Sequence, residues 1–138
     1  MAQDMKLDIL TPVGAIREGV SVPGVEVPGI EGEMGVLPEH ESLITAIVPG
    51  VVRFREGAKS VRLAVGSGFL EVKQSGRVVI LCERALAPDE IDAAAVRERL
   101  REVKAQLDRY SGPIGAAEYR DLSTEHAWLQ AQERCAKA

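Results

Sequence analysis

The reactive side chains of this 138-residue chain are few: two histidines, two cysteines and 21 carboxylates set against 17 lysines and arginines. Glu39-His40-Glu41 places an imidazole between two carboxylates, inside a run from Glu18 to Val52 with six glutamates and no lysine or arginine. A metal site there lacks a second His or Cys, and neighbouring side chains on an extended chain point opposite ways. Acid–base chemistry there lacks a nucleophile. Two readings stay open: a solvated acidic loop, or a charged contact surface for a basic partner. Cys82, in an apolar run, reads as a small buried hydrophobe, and Cys135, near the terminus, as an incidental exposed thiol. Their spacing fits neither a metal site nor a disulfide framework. No G-x-x-x-x-G-K-[ST] loop occurs, and Gly66-Ser67-Gly68 lies between strands, so it reads as a tight turn or bulge rather than a phosphate cradle. These residues point to no catalytic group, no metal and no cofactor.

The elements that position these residues change character along the chain. Sixteen of the twenty Gly and Pro residues fall in Met1–Ala87, which excludes a uniform all-α or all-β domain. The composition, 46% hydrophobic and 28% charged, is globular rather than disordered. The longest apolar stretch, Leu43 to Val52, is ten residues and broken by Pro49-Gly50, too short to span a bilayer. The opening residues lack a signal peptide's basic and apolar regions and are neither Arg-rich nor acid-free, so a cytoplasmic location is expected. A net charge of −4 with five aromatics offers little to nucleic acid.

Met1–Ala87 reads as many short strands. Met5, Leu7 and Ile9 alternate with Lys6 and Asp8; Val20 and Val22, then Val25 and Val27, alternate again; Val61, Leu63 and Val65 oppose Arg62 and Ala64; Leu70 and Val72 oppose Glu71 and Lys73. Val78 to Cys82 is apolar throughout, as for a strand covered on both faces. Turn signals at Thr11-Pro12, Pro23-Gly24, Pro28-Gly29, Pro49-Gly50, Glu56-Gly57 and Ser75-Gly76 separate them. The spacing predicts an antiparallel sandwich or barrel.

From Pro88 the period becomes helical. Val96, Leu100, Val103, Leu107 and Tyr110 form one seam, with Asp89 or Asp92 as the cap and Ser111-Gly112-Pro113 as the stop. Gly112 is expected in the left-handed C′ conformation. Outward, Arg97, Arg99, Arg101, Lys104 and Arg109 outnumber Glu98, Glu102 and Asp108; the readings are a mixed-charge solvated face or contact with an acidic partner. A second helix is expected from about Ala116 to Arg134, with Tyr119, Leu122, His126 and Leu129 as its apolar face and Trp128 and Ala131 beside it. The short connection favours an antiparallel hairpin. The predicted units are residues 1–87 and 88–138.

Several segments resemble the epsilon subunits of bacterial F-type ATP synthases. The opening Leu7-Asp8-Ile9-Leu10-Thr11-Pro12 is similar to their first strand, and Pro28 to His40 carries their PG-x-x-GE-x-G-[IV]-LP-x-H block. Leu43-Ile44-Thr45 with Pro49-Gly50-Val51 continues it. Gly68-Phe69-Leu70-Glu71-Val72 looks like their GGF-x-EV turn and strand, with Ser67 where a first Gly is common. Val78 to Ala85 resembles the last strand before the helices.

The resemblance implies a flattened antiparallel β-sandwich of about ten strands followed by a two-helix hairpin, in a subunit that is not itself catalytic. Its partners would be the gamma subunit and the membrane c-ring, forming the rotor that couples ion flow to ATP synthesis. Glu31, Glu33 and His40 carry over to the c-ring contact, whose loops carry an Arg; Thr11, His40 and Thr45 carry over to the gamma contact. The helices would fold down or extend toward the catalytic beta and alpha subunits and restrain ATP hydrolysis, with Gly112 and Gly115 as the hinge. The subunit would sit peripherally on the cytoplasmic face of the bacterial plasma membrane, held only through the complex. From sequence physics alone, the alternative is a β-sandwich binding module that dimerises through its hairpin; an independent small enzyme comes third. Members that bind ATP carry I/L-D-x-x-R-A at the start of the first helix. Here Ile91-Asp92-Ala93-Ala94-Ala95-Val96 keeps Asp92 but puts Ala95 in place of the Arg, which removes a charged donor for nucleotide. The second helix is also not strongly basic: Arg120, Arg134 and Lys137 stand against four acids. Titration calorimetry of the purified chain with ATP is expected to give weak or no binding; a micromolar constant overturns that expectation.

Overall fold

The computed structural model describes residues 4–137, and among these it forms ten strands and then two α-helices. The strands are β1 (Met5–Thr11), β2 (Gly14–Val22), β3 (Val25–Gly29), β4 (Gly32–Val36), β5 (Leu43–Ile47), β6 (Gly50–Glu56), β7 (Lys59–Val65), β8 (Gly68–Val72), β9 (Arg77–Cys82) and β10 (Ala85–Leu86). They pair in the order β10-β7-β6-β3-β5-β8-β9-β1-β2, with β4 on β3. β3 meets β6 at Val25↔Phe54 and β5 at Gly29↔Ile47, so one strand belongs to both layers of the sandwich. Arg17 of β2 pairs with Glu56 of β6 at 3.2 Å across the other side. At the β5–β6 corner a Cβ on Gly50 would lie 2.4 Å from the Pro28 ring, so only glycine lets these segments approach. One pair departs from the antiparallel expectation: β1 and β9 run parallel, which the long excursion of chain between them permits.

The alternation seen in sequence builds the core. Leu7, Ile9, Val27, Val52, Leu70 and Ile80 are fully buried in it, each contributing about 1.5–3 kcal/mol of burial free energy. Cys82 joins them as expected. Asp8 breaks the pattern, being buried rather than exposed. The β1–β2 register shifts between Leu7 and Ile9, giving β2 an extra residue near Gly19, whose φ is +64°. Asp8 Oδ1 accepts the Gly19 N–H at 2.7 Å, and Arg77 donates Nε and Nη2 to the two carboxylate oxygens at 2.8 and 2.9 Å. The carboxylate thus fastens the bulge to β9. The expectation that Val78–Cys82 is covered on both faces is corrected: Val79 is half-buried and Leu81 is 50% exposed, because only one face of β9 meets the core.

After a 3₁₀ turn (Pro88–Glu90) come α1 (Ala93–Arg109) and α2 (Ala117–Lys137). Asp92 supplies the α1 cap, its Oδ1 accepting the Ala95 N–H at 3.1 Å. Val96, Leu100, Val103 and Leu107 pack against Leu122 and Leu129 as an antiparallel hairpin. Gly112 does not take the expected left-handed conformation. The helix ends instead on extended Tyr110, whose N–H reaches Leu107 O at 3.1 Å and whose hydroxyl donates to Pro113 O at 2.7 Å. A Cβ on Gly112 would lie 2.7 Å from that hydroxyl, so a larger residue there would push the Tyr110 ring aside.

Asp8→Ala leaves the Gly19 amide and the Arg77 guanidinium without their shared acceptor. A loss of about 1–3 kcal/mol in urea unfolding is expected. Asp8→Asn, which keeps one acceptor oxygen, should lose less.

Candidate functional site

The acidic segment lies at one end of the sandwich. Glu31 is exposed in the tight β3–β4 turn, and Glu33 projects from β4 opposite Pro28. The Glu39-His40-Glu41 segment is not extended, as the sequence reading supposed. His40 N–H closes a turn onto Leu37 O at 3.1 Å, with Glu39 at φ +71°. His40 Nδ1 donates to the Glu41 carbonyl at 2.8 Å, so its hydrogen bond goes to backbone rather than to a carboxylate. Among the described residues no group of three or more His, Cys, Asp and Glu side chains gathers to hold a metal.

Beside this segment runs an open apolar face. The turn is tied to β5 by Ile30 N–H to Ala46 O at 3.2 Å. In register with Ala46 stand Phe69 of β8, Leu81 of β9 and Leu10 of β1. Ile44 heads the next row and is 71% exposed, with Phe69 at 58%. Thr11 borders the face at the β1–β2 turn, its Oγ1 donating to Gly14 O at 3.0 Å. Thr45 lies opposite the buried Leu70, on the core side, with Ile44 and Ala46 flanking it outward. A Cβ on Gly68 would lie 1.8 Å from the Leu81 carbonyl oxygen, so glycine is what brings β8 and β9 this close. Sequence reasoning missed Ile44, Phe69 and Leu81. The available signal was a large apolar residue on the polar phase of a strand.

The hairpin covers a different face. Trp128, Ala131 and Cys135, one face of α2, press on Val51 of β6 and Ala64 of β7. The expected exposed thiol is therefore corrected: Cys135 is completely buried, because α2 runs on to Lys137 and carries it onto the sheet. Arg84 sits over the Trp128 ring at 4.6 Å, and Arg62 Nε donates to the Cys135 carbonyl. Between the helices, Arg99 grips Glu125 with two hydrogen bonds of 2.7 and 2.9 Å. These bonds hold the Glu125 carboxyl below its ordinary range and keep Arg99 firmly protonated. The pair's contribution is thus full above the ordinary carboxylate range and is lost as pH falls through the lowered value. Asp92 is committed to its cap, and the first turn beside it offers Ala95 rather than a cation.

The sequence model for "ATP synthase, Delta/Epsilon chain, beta-sandwich domain" matches residues 4–88. The chain belongs to that family. It is 40% identical over 114 residues to the ATP synthase epsilon chain of Desulforamulus reducens, covering 83% of this chain and 85% of that one. It is 36% identical over 132 residues to the ATP synthase epsilon chain of Magnetococcus marinus, covering 96% and 93%. Its fold is similar to a chain of the Euglena gracilis mitochondrial ATP synthase OSCP/F1/c-ring structure, with TM-score 0.84, 24% identity, and coverage of 97% and 82%. A chain of the Tetrahymena thermophila mitochondrial central stalk and c-ring matches at TM-score 0.64 and 11% identity, over 99% and 98% of the two chains. Among the described residues no helix is long and apolar enough to cross a membrane.

In this family member both thiols report on packing. Burial pushes Cys82 up to about 11, and burial also raises Cys135, with nearby Arg62 opposing. Near pH 8 both should therefore label slowly with iodoacetamide, Cys82 accelerating as pH rises toward its raised value. Trp128→Ala should undock α2 and speed Cys135 labelling about tenfold or more while Cys82 stays protected. Unchanged Cys135 labelling in that variant overturns the role of the indole in docking.

Proposed function

We propose that this chain is a non-catalytic central-stalk subunit of an F-type ATP synthase, binding the gamma subunit and the c-ring. The observation that carries the reading is the open row of Ala46, Phe69, Leu81 and Leu10 beside an acidic turn, in a chain of this family. A contiguous apolar row on a sheet face is the mark of a surface that a partner covers. Gamma takes that row, with Thr11 at its border and Thr45 behind it. Glu31, Glu33 and His40 meet the c-ring loops, where paired charges set register more than affinity. The subunit is peripheral on the cytoplasmic face of the bacterial membrane and couples ion flow to ATP synthesis.

Residues 1–87 form the docking unit and 88–138 a mobile regulatory unit. Support for that division comes from the packing: the sandwich core is built without helical residues, whereas Trp128, Ala131 and Cys135 form a separate cluster on its outside. Gly112 and Gly115 lie in the only connection between α1 and α2 among the described residues, where a change in backbone direction turns a hairpin into an extended arm. At about 1.5 Å per residue, the roughly 45 residues after Asp92 would reach on the order of 60–70 Å toward the catalytic subunits.

Co-purification with tagged gamma subunit tests the reading. Full-length protein and Met1–Ala87 should both be retained, and removal of the helices should relieve restraint on ATP hydrolysis. Phe69→Glu or Leu81→Glu should lower retention about tenfold or more by placing a charge in an apolar contact. Retention unaffected by either charge overturns the assignment of this face to gamma. Loss of binding in the truncated chain overturns the division at Ala87.

A further inference from the structure

A second surface lies on the opposite layer, beyond the C-terminal end of α2. The outer face of β4, β3, β6 and β7 forms an open groove of about 690 Å³. One cross-sheet row runs through it in register: Gly35, Glu26, Arg53 and Arg62. The next holds Arg55 opposite Ser60, with Leu37 and Gly24 completing the wall. A Cβ on Gly35 would meet nothing within 4 Å, so the groove is open there. Three guanidiniums thus face one carboxylate, on a chain whose net charge is −4. Among the described residues none of the three joins an ion pair. Arg53 and Arg62 stand directly opposite each other across the ladder, an arrangement of like charges that costs stability until an anion lies between them.

We propose that this groove holds an extended segment of a partner polypeptide in which carboxylates alternate with apolar side chains. The guanidinium forks match carboxylates in two-point contacts. Leu37, which is largely exposed at the groove wall, takes the apolar side chains. The groove is a trough rather than an enclosed cavity, and a small anion would leave most of its surface in water there, whereas an extended chain runs its length. The inference uses none of the residues assigned to the gamma or c-ring contacts, although Leu37 closes the turn that carries His40.

Arg62 gives the site a second consequence. Its Nε caps the end of α2 through the Cys135 carbonyl, in the same row as Arg53. A carboxylate that takes the Nε edge of Arg62 removes that donor from the helix end. Groove occupancy and helix docking are therefore competitive, and linkage makes the effect reciprocal.

The test uses the full chain and a fluorescent peptide of about ten residues in which Glu alternates with Leu and Ser, followed by anisotropy. Binding is expected, weakening as salt is raised. Arg53→Gln with Arg55→Gln, both outward-facing, should weaken it about tenfold or more while thermal stability is kept or raised by relief of the Arg53–Arg62 repulsion. A variant that binds as tightly as the parent overturns the site. So does equal affinity for the peptide with Gln in place of Glu. A single-stranded oligodeoxynucleotide or ATP competing as well as the acidic peptide overturns the choice of a polypeptide occupant. In a Cys82→Ala background, saturating peptide should speed Cys135 alkylation several-fold; an unchanged or slower rate overturns the coupling to α2.

Discussion

β3 pairs along one edge with β4 and divides the other edge between two neighbours, reaching β6 through Val25 and β5 through Gly29, and this divided pairing wraps ten strands round one core. A sheet bent in this way turns one face of every strand inward and leaves two outer faces. Each must be solvated, covered by the chain itself, or covered by another molecule. The structure shows the first two, and one apolar face is left uncovered. α2 covers Val51 and Ala64, the arginine row is polar and wet, and the β5–β8–β9 face stays apolar and open. Function follows from how those outer faces differ, since none of the buried residues offers chemistry of its own.

The covered face decides how firmly the hairpin rests. A two-helix hairpin of this length is marginal by itself, so its position is set by what it packs against. On the sheet it has a modest apolar cluster, one arginine stacked on an indole and one capped helix end. Each contact of this kind contributes on the order of 1–3 kcal/mol. That total is small enough for a partner with a few kcal/mol of preference to shift the balance. The sandwich beneath is fixed more firmly, because its core is larger and the Asp8–Arg77–Gly19 contact joins β1, β2 and β9.

Much of this was legible in the sequence, for reasons that particular residues make plain. Period-two alternation found β1, β7 and β8, because one face of each strand must be apolar. The 3–4 spacing from Val96 to Leu107 found the α1 seam for the same reason. The errors have one physical origin: a sequence pattern tells which residues avoid water, not which surface they meet. Leu81 looked doubly buried, yet one of its strand's faces is open. Cys135 looked terminal and exposed, yet α2 has two apolar faces, Leu122 and Leu129 toward α1, Trp128 and Cys135 toward the sheet. Asp8 looked solvent-facing because a bulge is invisible until Gly19 is seen with positive φ. The groove arginines gave no local signal, since Gly35, Glu26, Arg53 and Arg62 become neighbours only through three strand pairings.

The contacts that hold the hairpin down and those that hold it closed are different contacts. Docking depends on Trp128 with Arg84 and on Cys135 with Arg62, all on the sheet side of α2. Closure depends on Leu122 and Leu129 against the α1 seam, on the Arg99–Glu125 fork, and on Tyr110 packed against Tyr119 at 5.3 Å. Nothing in the second set must break for the first to break, so the arm can leave the sheet as an intact hairpin before it opens. The intact hairpin keeps its own seam buried after leaving the sheet and exposes only the small Trp128–Ala131–Cys135 face. Opening it in the same step would expose both. For any movement of the hairpin, the lower-cost order is therefore release first and opening second.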